Sequence, residues 1–386
     1  MSDTLALDSL EIKNFRAFKY LRIERLARVN LIVGKNNVGK TSLLEAVRFF
    51  ADRGAPQDLL GILETREEAM PSRATIYNSD REDPSIRAEI LQAVEAAIST
   101  LFYGRKSSAE TRFDIGSLTT PENQITVRIV RQPRLSRGRQ LQVSEQSLTN
   151  RNLDQVEDEP AIKINFGKGE EIETGYFALD RLVNRLSPRL YSSKSPSFFI
   201  PAIGLSNLDL ERLWSEISLR PAKEQETTTA LKIVDSRVER IDFFKPRDSR
   251  ESIPRTLLKN NSEPIPLKSL GEGMNRILGL AMALVNAKDT VLIVDEIDTG
   301  LHYSILAKVW KLIFETARRL NVQVFATTHS KDCIEAFEQA IRENNFDDGQ
   351  VIKLHAKENE PGEVEAIVID KDILAVAMQE DLEVRD

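Results

Sequence analysis

The feature that most constrains this chain is residues 34–41, which read Gly-Lys-Asn-Asn-Val-Gly-Lys-Thr. They follow the apolar run Val29–Val33. After them apolar side chains recur at helical spacing, at Leu43, Leu44, Val47 and Phe50. That spacing predicts a helix from Thr41 to Ala51 with one buried face. A strand, a glycine-rich loop and a helix in this order are typical of a phosphate-binding loop, so the segment predicts an α/β fold with a nucleotide site.

Each part of this loop has an expected role in holding a triphosphate. The glycines let backbone amides close around phosphate oxygens, and the helix N-terminus adds a positive dipole. Lys40 is expected to reach the β and γ phosphates, Thr41 to offer its hydroxyl to Mg²⁺, and Asn37 to order the loop or face the attacking water. The predicted nucleotide contacts are Gly34, Asn36, Asn37, Val38, Gly39, Lys40, Thr41 and Ser42.

A second motif consists of four apolar residues, Val291–Val294, followed directly by Asp295 and Glu296. It predicts a buried strand that delivers both carboxylates to the carboxyl edge of the sheet, where open α/β sheets bind ligands. Asp295 is expected to hold the Mg²⁺ shell, usually through water. Glu296 is expected to orient and polarise the water that attacks the γ-phosphate. The sequence therefore predicts ATP and Mg²⁺ as the bound groups and hydrolysis as the reaction.

Three further segments resemble motifs of ABC-type ATPases. Ser269–Gly273 resembles their signature loop, Ile297–His302 is similar to their D-loop, and Thr327–Ser330 is similar to the segment with their switch histidine. The opening Leu10–Arg16 resembles the first strand and turn of the branch that contains RecF, SMC heads and OLD-like ATPases. By this resemblance the chain is identified as a stand-alone OLD-like ATPase head without a Toprim nuclease domain.

The resemblance implies a homodimer in which two heads pair head to tail with ATP at the interface. Ser269 and Gly271 of one copy would contact the γ-phosphate held by the phosphate loop of the other copy. His329 would contact the γ-phosphate within its own copy, and Asp298 would lie at the dimer seam. The catalytic residues implied are Glu296, His329 and Lys40.

The spacing of apolar residues divides the chain into a head with two insertions. Residues 1–51 and 265–386 are expected to form the ABC-type ATPase head, residues 52–204 an antiparallel β lobe with a helical insertion, and residues 205–264 a small helical subdomain. Helical spacing is found over 86–101, 208–217, 228–234, 274–285 and 306–317, and β-like runs over 125–130, 141–143, 162–166, 198–200, 322–326, 351–354 and 364–369. The predicted fold class is α/β, a P-loop NTPase of ABC-ATPase type with a mixed sheet, an antiparallel β lobe and inserted helices.

Composition excludes several other classes of protein. The hydrophobic fraction of 41% and the charged fraction of 29% are those of globular chains. No apolar run reaches the roughly 18 residues of a membrane span, and residues 1–10 lack the form of a secretory signal. A cytoplasmic protein with no membrane partner is therefore expected. The single cysteine, Cys333, lies in an amphipathic pattern, which predicts a buried and unreactive thiol.

DNA binding stays open as an alternative. The net charge of -7 and the pI near 5.4 give no global attraction to nucleic acid, so any DNA contact would be local. One basic cluster meets that condition, at Arg128, Arg131, Arg134, Arg137 and Arg139. It is either the solvated tip of a hairpin or a DNA contact of RecF type.

The leading hypothesis is a nucleotide-gated sensor or regulator of a partner effector, such as a toxin or nuclease, in anti-phage defence. Lys40 and Asp295 are 295 minus 40, or 255, positions apart without heptads, which is too short for SMC arms. Only 386 minus 296, or 90, residues follow Glu296, so no Toprim nuclease is expected. The alternatives are a RecF-like DNA-binding ATPase in repair or recombination and, less well matched by the long insertion, the ATPase subunit of a membrane transporter.

Overall fold

The computed structural model of the protein is built around one large mixed β-sheet. The structure describes residues 5–66, 68, 84–106, 111–120, 123–133, 158–168, 171–178, 197–247, 251–357, 360–380 and 384. Within these residues the strands are β1 Leu10–Phe15, β2 Phe18–Ile23, β3 Val29–Gly34, β4 Arg112–Gly116, β5 Gln124–Pro133, β6 Asp158–Lys168, β7 Glu171–Ala178, β8 Ser197–Ile200, β9 Val238–Phe244, β10 Ile253–Leu258, β11 Ile265–Pro266, β12 Val291–Val294, β13 Gln323–Thr327, β14 Gly349–Ala356 and β15 Glu363–Ile369. The helices are α1 Lys40–Ala51, α2 Pro56–Thr65, α3 Pro84–Ser99, α4 Asn207–Ser215, α5 Pro221–Leu231, α6 Glu272–Asn286, α7 Tyr303–Leu320, α8 Lys331–Asn344 and α9 Lys371–Gln379.

The large sheet has the order β7-β6-β5-β4-β1-β2-β15-β14-β3-β13-β12-β8. Its last five strands, β14 to β8, are all parallel. From β7 to β2 each strand is antiparallel to its neighbour, and β15 joins this wing to the parallel part. The predicted mixed α/β sheet with an antiparallel β lobe is confirmed.

The central parallel strands are buried along their whole length, because both of their faces are covered. Every residue of β3, β12 and β13 is buried, as expected for parallel strands in an α/β sheet. Alternate side chains enter two cores: Leu292 and Val294 pack with helices α6, α7 and α8, whereas Val291 and Ile293 pack with α1 and the antiparallel wing. The sheet is therefore packed on both of its faces.

Parallel pairing also fixes where the motifs meet. Strand β13 lies between β3 and β12 and is parallel to both. Their carboxyl ends are consequently at one edge of the sheet, which is the usual ligand edge of such folds. The segments that follow them, 34–41, 295–302 and 328–330, meet at this edge.

Two local expectations need correction. Residues 198–200, expected in the antiparallel lobe, form β8, which is parallel to β12 and completes the parallel sheet. Segment 205–264 has two helices, but α5 begins at Pro221 rather than at Thr228, and a small antiparallel sheet of β9, β10 and β11 follows. Helices alone do not describe this segment, because its strands have one exposed face and a weak apolar pattern. The division into three domains stays a prediction.

Other expectations are confirmed. The helices expected over 86–101, 274–285 and 306–317 correspond to α3, α6 and α7, and the C-terminal runs form the antiparallel pair β14 and β15. Cys333 is buried, and burial raises the pKa of its thiol to about 12. The β-like run 141–143 and the basic residues Arg134, Arg137 and Arg139 lie outside the described residues. Among the helices that the structure describes, none is long and apolar enough to cross a bilayer.

Candidate nucleotide site

A cavity of about 930 Å³ opens at the carboxyl edge of the parallel strands. Of the eight contact residues predicted in segment 34–42, seven line it: Gly34, Asn36, Asn37, Gly39, Lys40, Thr41 and Ser42. Glu296 and His329 line it as well. Val38, the eighth, is only 7% exposed and packs in the core, so its side chain anchors the loop. The structure therefore brings the phosphate loop, Glu296 and His329 to one cavity.

The loop can follow this path because two of its positions are glycine. Gly34 has φ 141° and Gly39 has φ 109°, a region that side chains with a Cβ rarely adopt. A Cβ on Gly34 would lie 2.6 Å from the carbonyl oxygen of Leu354, and one on Gly39 would lie 2.7 Å from the ring of Phe18. Any side chain at either position would thus displace the loop from the sheet.

The loop lies at the N-terminus of α1, where Lys40 is the first residue. The Lys40 Nζ donates hydrogen bonds to the carbonyl oxygens of Gly34, at 2.5 Å, and of Lys35, at 2.9 Å. These bonds hold the ammonium group inside the curve of the loop. A helix N-terminus and a lysine at one point form a strong site for a phosphate anion.

Asp295 connects the loop to two strands. Its Oδ2 accepts a hydrogen bond from the Thr41 hydroxyl at 3.2 Å, and its Oδ1 accepts one from the Thr327 hydroxyl at 2.6 Å. Thr327 also accepts a hydrogen bond from the Glu296 backbone N–H at 2.8 Å. One threonine of β13 therefore positions both acids that follow β12.

A hydroxyl and a carboxylate of this kind are the hard oxygen ligands that Mg²⁺ prefers. Thr41 and Asp295 are close enough to share one ion with the phosphates of a nucleotide. Thus the residues fit the predicted metal, although no three-residue His, Cys, Asp or Glu cluster of a metal-binding kind occurs in the described part of the chain. Magnesium sites completed by phosphates and water need no such cluster.

Glu296 and His329 face each other across the cavity wall. The His329 Nε2 lies 3.8 Å from the Glu296 Oε1, and both side chains are roughly 40% exposed, at 40% and 42%. Glu296 is held in the left-handed region at φ 46°, and its Oε2 accepts a hydrogen bond from the Thr299 hydroxyl at 3.2 Å. The two side chains can therefore both form a hydrogen bond with the same water molecule or phosphate oxygen.

Five further residues with charged or polar side chains line the cavity and were not predicted as site residues: Lys35, Arg66, Glu68, Thr100 and Arg105. Arg16, known only as part of the opening motif, joins them. The Arg16 guanidinium pairs with Glu45 at 3.3 Å and with Glu68 at 2.5 Å, and Arg66 pairs with Glu45 at 2.6 Å. Burial raises the pKa of Glu45, against the neighbouring arginines. No sequence motif marks Arg66 or Arg105, because folding alone brings them to the loop.

The signature residues lie elsewhere. Ser269 and Gly271 are exposed, precede α6, and are not among the residues that line the cavity. Asp298 is half-buried and its Oδ1 accepts a hydrogen bond from the Thr328 hydroxyl at 2.5 Å. His302 caps α7, because its Nδ1 accepts a hydrogen bond from the Ser304 N–H at 3.3 Å. The trans contacts of Ser269 and Gly271 stay predictions.

The sheet and site together define a P-loop ATPase head of ABC type. The sequence profile of the family described as "AAA domain, putative AbiEii toxin, Type IV TA system" matches residues 29–332, and the chain belongs to this family. The match includes the phosphate loop, both acids and His329.

Individual relatives are more distant. An "ATP/GTP phosphatase" of Helicobacter pylori is 24% identical over 367 residues, covering 88% of this chain and 90% of the relative. The DNA replication and repair protein RecF of Clostridioides difficile is 46% identical over 43 residues, or 11% of this chain and 12% of RecF.

Two of the solved structures that are similar to this chain are SMC heads. One, an SMC head bound to the C-terminal winged-helix domain of ScpA, is 13% identical with a TM-score of 0.48 and covers 97% of this chain and 99% of that one. The other, from Thermotoga maritima, is 12% identical with a TM-score of 0.41 and covers 94% and 99%.

Proposed function

We propose that this chain hydrolyses ATP with Mg²⁺ as a head-to-tail homodimer. The observation that carries the proposal is that Glu296 and His329 share one cavity with the phosphate loop, 34–42. This cavity presents groups for the triphosphate and for a water molecule, whereas Ser269 and Gly271 are exposed and outside it. A second copy could add these two residues to the same nucleotide. The name of the Helicobacter relative, a phosphatase of ATP and GTP, supports hydrolysis.

The proposed chemistry follows from the positions of these side chains at the carboxyl edge of the sheet. Lys40 and the amides of the loop bind the β and γ phosphates, and Thr41 and Asp295 would hold Mg²⁺, which supplies charge neutralisation when bound. Glu296 accepts a hydrogen bond from the attacking water and orients it in line with the γ-phosphate. His329 donates to the γ-phosphate and responds to its loss. Asp298 is assigned to the seam between the copies.

Replacing Glu296 by glutamine tests this proposal. Glu296→Gln keeps the shape of the side chain but removes the basic oxygen, so we expect turnover to fall by about a hundredfold or more. ATP binding, followed with a fluorescent analogue, is expected to stay near the wild-type value. Light scattering should then show a dimer that persists with ATP. The matched control is Glu315→Gln, an exposed glutamate of α7, with wild-type turnover.

Two results would count against the proposal. Wild-type turnover in Glu296→Gln would remove Glu296 from its role. A monomer at saturating ATP in this variant would contradict the shared site.

The output of the cycle is proposed to be control of a partner effector, a toxin or nuclease, in anti-phage defence. The family description, which names a toxin of a toxin–antitoxin system, supports this class of role. ATP as the substrate assigns the activity to the cytoplasm. Affinity purification with Glu296→Gln, which holds the ATP-bound form, tests the idea. An effector retained by this variant and lost from Lys40→Ala is expected, and equal recovery from both would contradict nucleotide gating.

The second candidate function is ATP-dependent DNA binding of RecF type, which the local match to RecF favours. The test is binding of duplex DNA by the ATP-bound form at increasing salt. A steep loss of affinity with salt, removed by changing Arg131, Arg134 and Arg137 together, would support it. Salt-independent or absent binding would leave the regulator as the function.

A further inference from the structure

Arg276 makes an unusual set of contacts. Its guanidinium donates to four backbone carbonyl oxygens: Nη2 to Asp295, at 2.7 Å, and to Glu296, at 2.9 Å, and Nη1 to Pro201, at 2.7 Å, and to Ala202, at 3.4 Å. These carbonyls belong to the two segments that leave the ends of β12 and β8. A planar guanidinium with fixed donors is well suited to bridge two chain segments in this way.

The position of Arg276 is costly to maintain. It is 9% exposed, and burial lowers the pKa of its guanidinium, against the nearby acids Asp295, Asp298 and Glu296. A buried charge persists only where hydrogen bonds compensate its loss of water. Here the compensation comes from backbone carbonyls, which leaves the carboxylates of Asp295 and Glu296 available for other contacts.

The backbone that Arg276 holds is strained. Glu296 has φ 46°, a region that costs of order 1 kcal/mol or more for a residue with a Cβ. Its N–H is held by the Thr327 hydroxyl and its carbonyl by Arg276. The residue is thus fixed on both sides, and a relaxation of its φ would turn the carboxylate away from the cavity.

Arg276 also connects this strained residue to the signature segment. It lies one turn into α6, which begins directly after Gly271. The start of α6 packs closely on the D-loop, because a Cβ on Gly273 would lie 2.9 Å from the carbonyl oxygen of Gly300. Movement of the signature segment would therefore move Arg276 and the carbonyls that it holds.

We propose that Arg276 is a positioning residue that fixes the Glu296 backbone and ties it to the signature helix α6. This inference rests on the proposed hydrolysis at Glu296. In the dimer, α6 would follow the loop that caps the nucleotide of the partner subunit. Arg276 would then couple closure of one nucleotide site to the orientation of Glu296 in the other.

Arg276→Ala is the primary test. We expect kcat to fall by about tenfold to a hundredfold, because a displacement of about 1 Å in a catalytic group has that effect. The affinity for a fluorescent ATP analogue should stay within about twofold, since the phosphate loop does not contact Arg276. Arg276→Lys keeps the charge but loses the planar fork. Its kcat should lie between those of Arg276→Ala and the wild type. The matched control is Arg319→Ala, which removes an exposed arginine of α7 that pairs with Glu226. Its kcat should equal that of the wild type.

A double-mutant cycle separates positioning from general damage. In a Glu296→Gln background, measured by single-turnover release of labelled phosphate with excess protein, adding Arg276→Ala should have no further effect. An additive loss in the cycle, or wild-type kcat in Arg276→Ala, would overturn the inference. Loss of ATP binding together with kcat would also overturn it. A wild-type protein that binds ATP but releases no phosphate would instead refute the proposed function.

Discussion

Thr327 offers the sharpest single-residue test of the site geometry. Its side chain is 1% exposed, and its hydroxyl donates to Asp295 at 2.6 Å while accepting from the Glu296 N–H at 2.8 Å. Thr327→Val keeps the shape of the side chain and removes both hydrogen bonds. No cavity is created, so the effect reports on the hydrogen bonds alone.

The expected magnitude follows from these two bonds. Loss of a hydrogen bond to a carboxylate costs about 1.5–3 kcal/mol, and an unpaired backbone N–H in a partly buried place costs about 1–3 kcal/mol. Together they predict a decrease of about 2.5–6 kcal/mol in the free energy of unfolding. Turnover should fall about tenfold or more, because both acids lose their common anchor.

Urea unfolding and steady-state phosphate release measure the two effects. The matched control is Thr327→Ser, which keeps the hydroxyl and loses one methyl group, so its turnover should stay close to that of the wild type. Equal turnover and equal stability in Thr327→Val and the wild type would refute the role of this network. A loss in Thr327→Ser as large as in Thr327→Val would show that packing, rather than the hydroxyl, is what matters.

Two further predictions concern binding and pH. Lys40→Ala removes the ammonium held by Gly34 and Lys35 and should weaken ATP affinity itself, measured by titration with the fluorescent analogue; retained affinity would contradict the loop assignment. Burial and the neighbouring Asp58 raise the pKa of Asp52 from 3.8 to about 8. The folded state therefore holds a proton that the unfolded state releases, and stability falls as pH rises from 4 towards 8. Between pH 6 and 8 the wild type should therefore lose more of its free energy of unfolding than Asp52→Asn does in urea unfolding, and parallel pH curves would contradict this.

The sequence predicted the parts of the fold that carry motifs or strong periodicity. The phosphate loop, the acids after β12 and His329 each follow a buried strand, as expected, because such a strand leaves a continuous apolar run in the sequence. The expectation that residues 198–200 belong to the antiparallel lobe was wrong, because a short apolar run does not show whether its partner strand is parallel or antiparallel. Strands β9 and β10 were missed because they belong to a small sheet with exposed residues along each strand.

In the candidate site, the sequence predicts contacts within a motif but not contacts between elements. Contacts within one motif, such as Lys40 with its own loop, follow from sequence spacing. Arg105 reaches the cavity only through the fold, and the contacts of Arg66 and Arg276 cross between elements: Arg66 pairs with Glu45, and Arg276 binds backbone carbonyls. A carbonyl partner leaves no trace in residue type, so only the folded chain reveals the contacts of Arg276.

Mixing two inactive variants tests the shared nucleotide site most directly. Lys40→Ala destroys the phosphate loop, and Ser269→Asp adds a negative charge at the exposed signature position, so each protein alone should release almost no phosphate. In an equal mixture half of the dimers are mixed, and each of these has one intact site. The account predicts about a quarter of wild-type turnover per total protein. A mixture no more active than its separate components would contradict a nucleotide gripped by one copy and capped by the other.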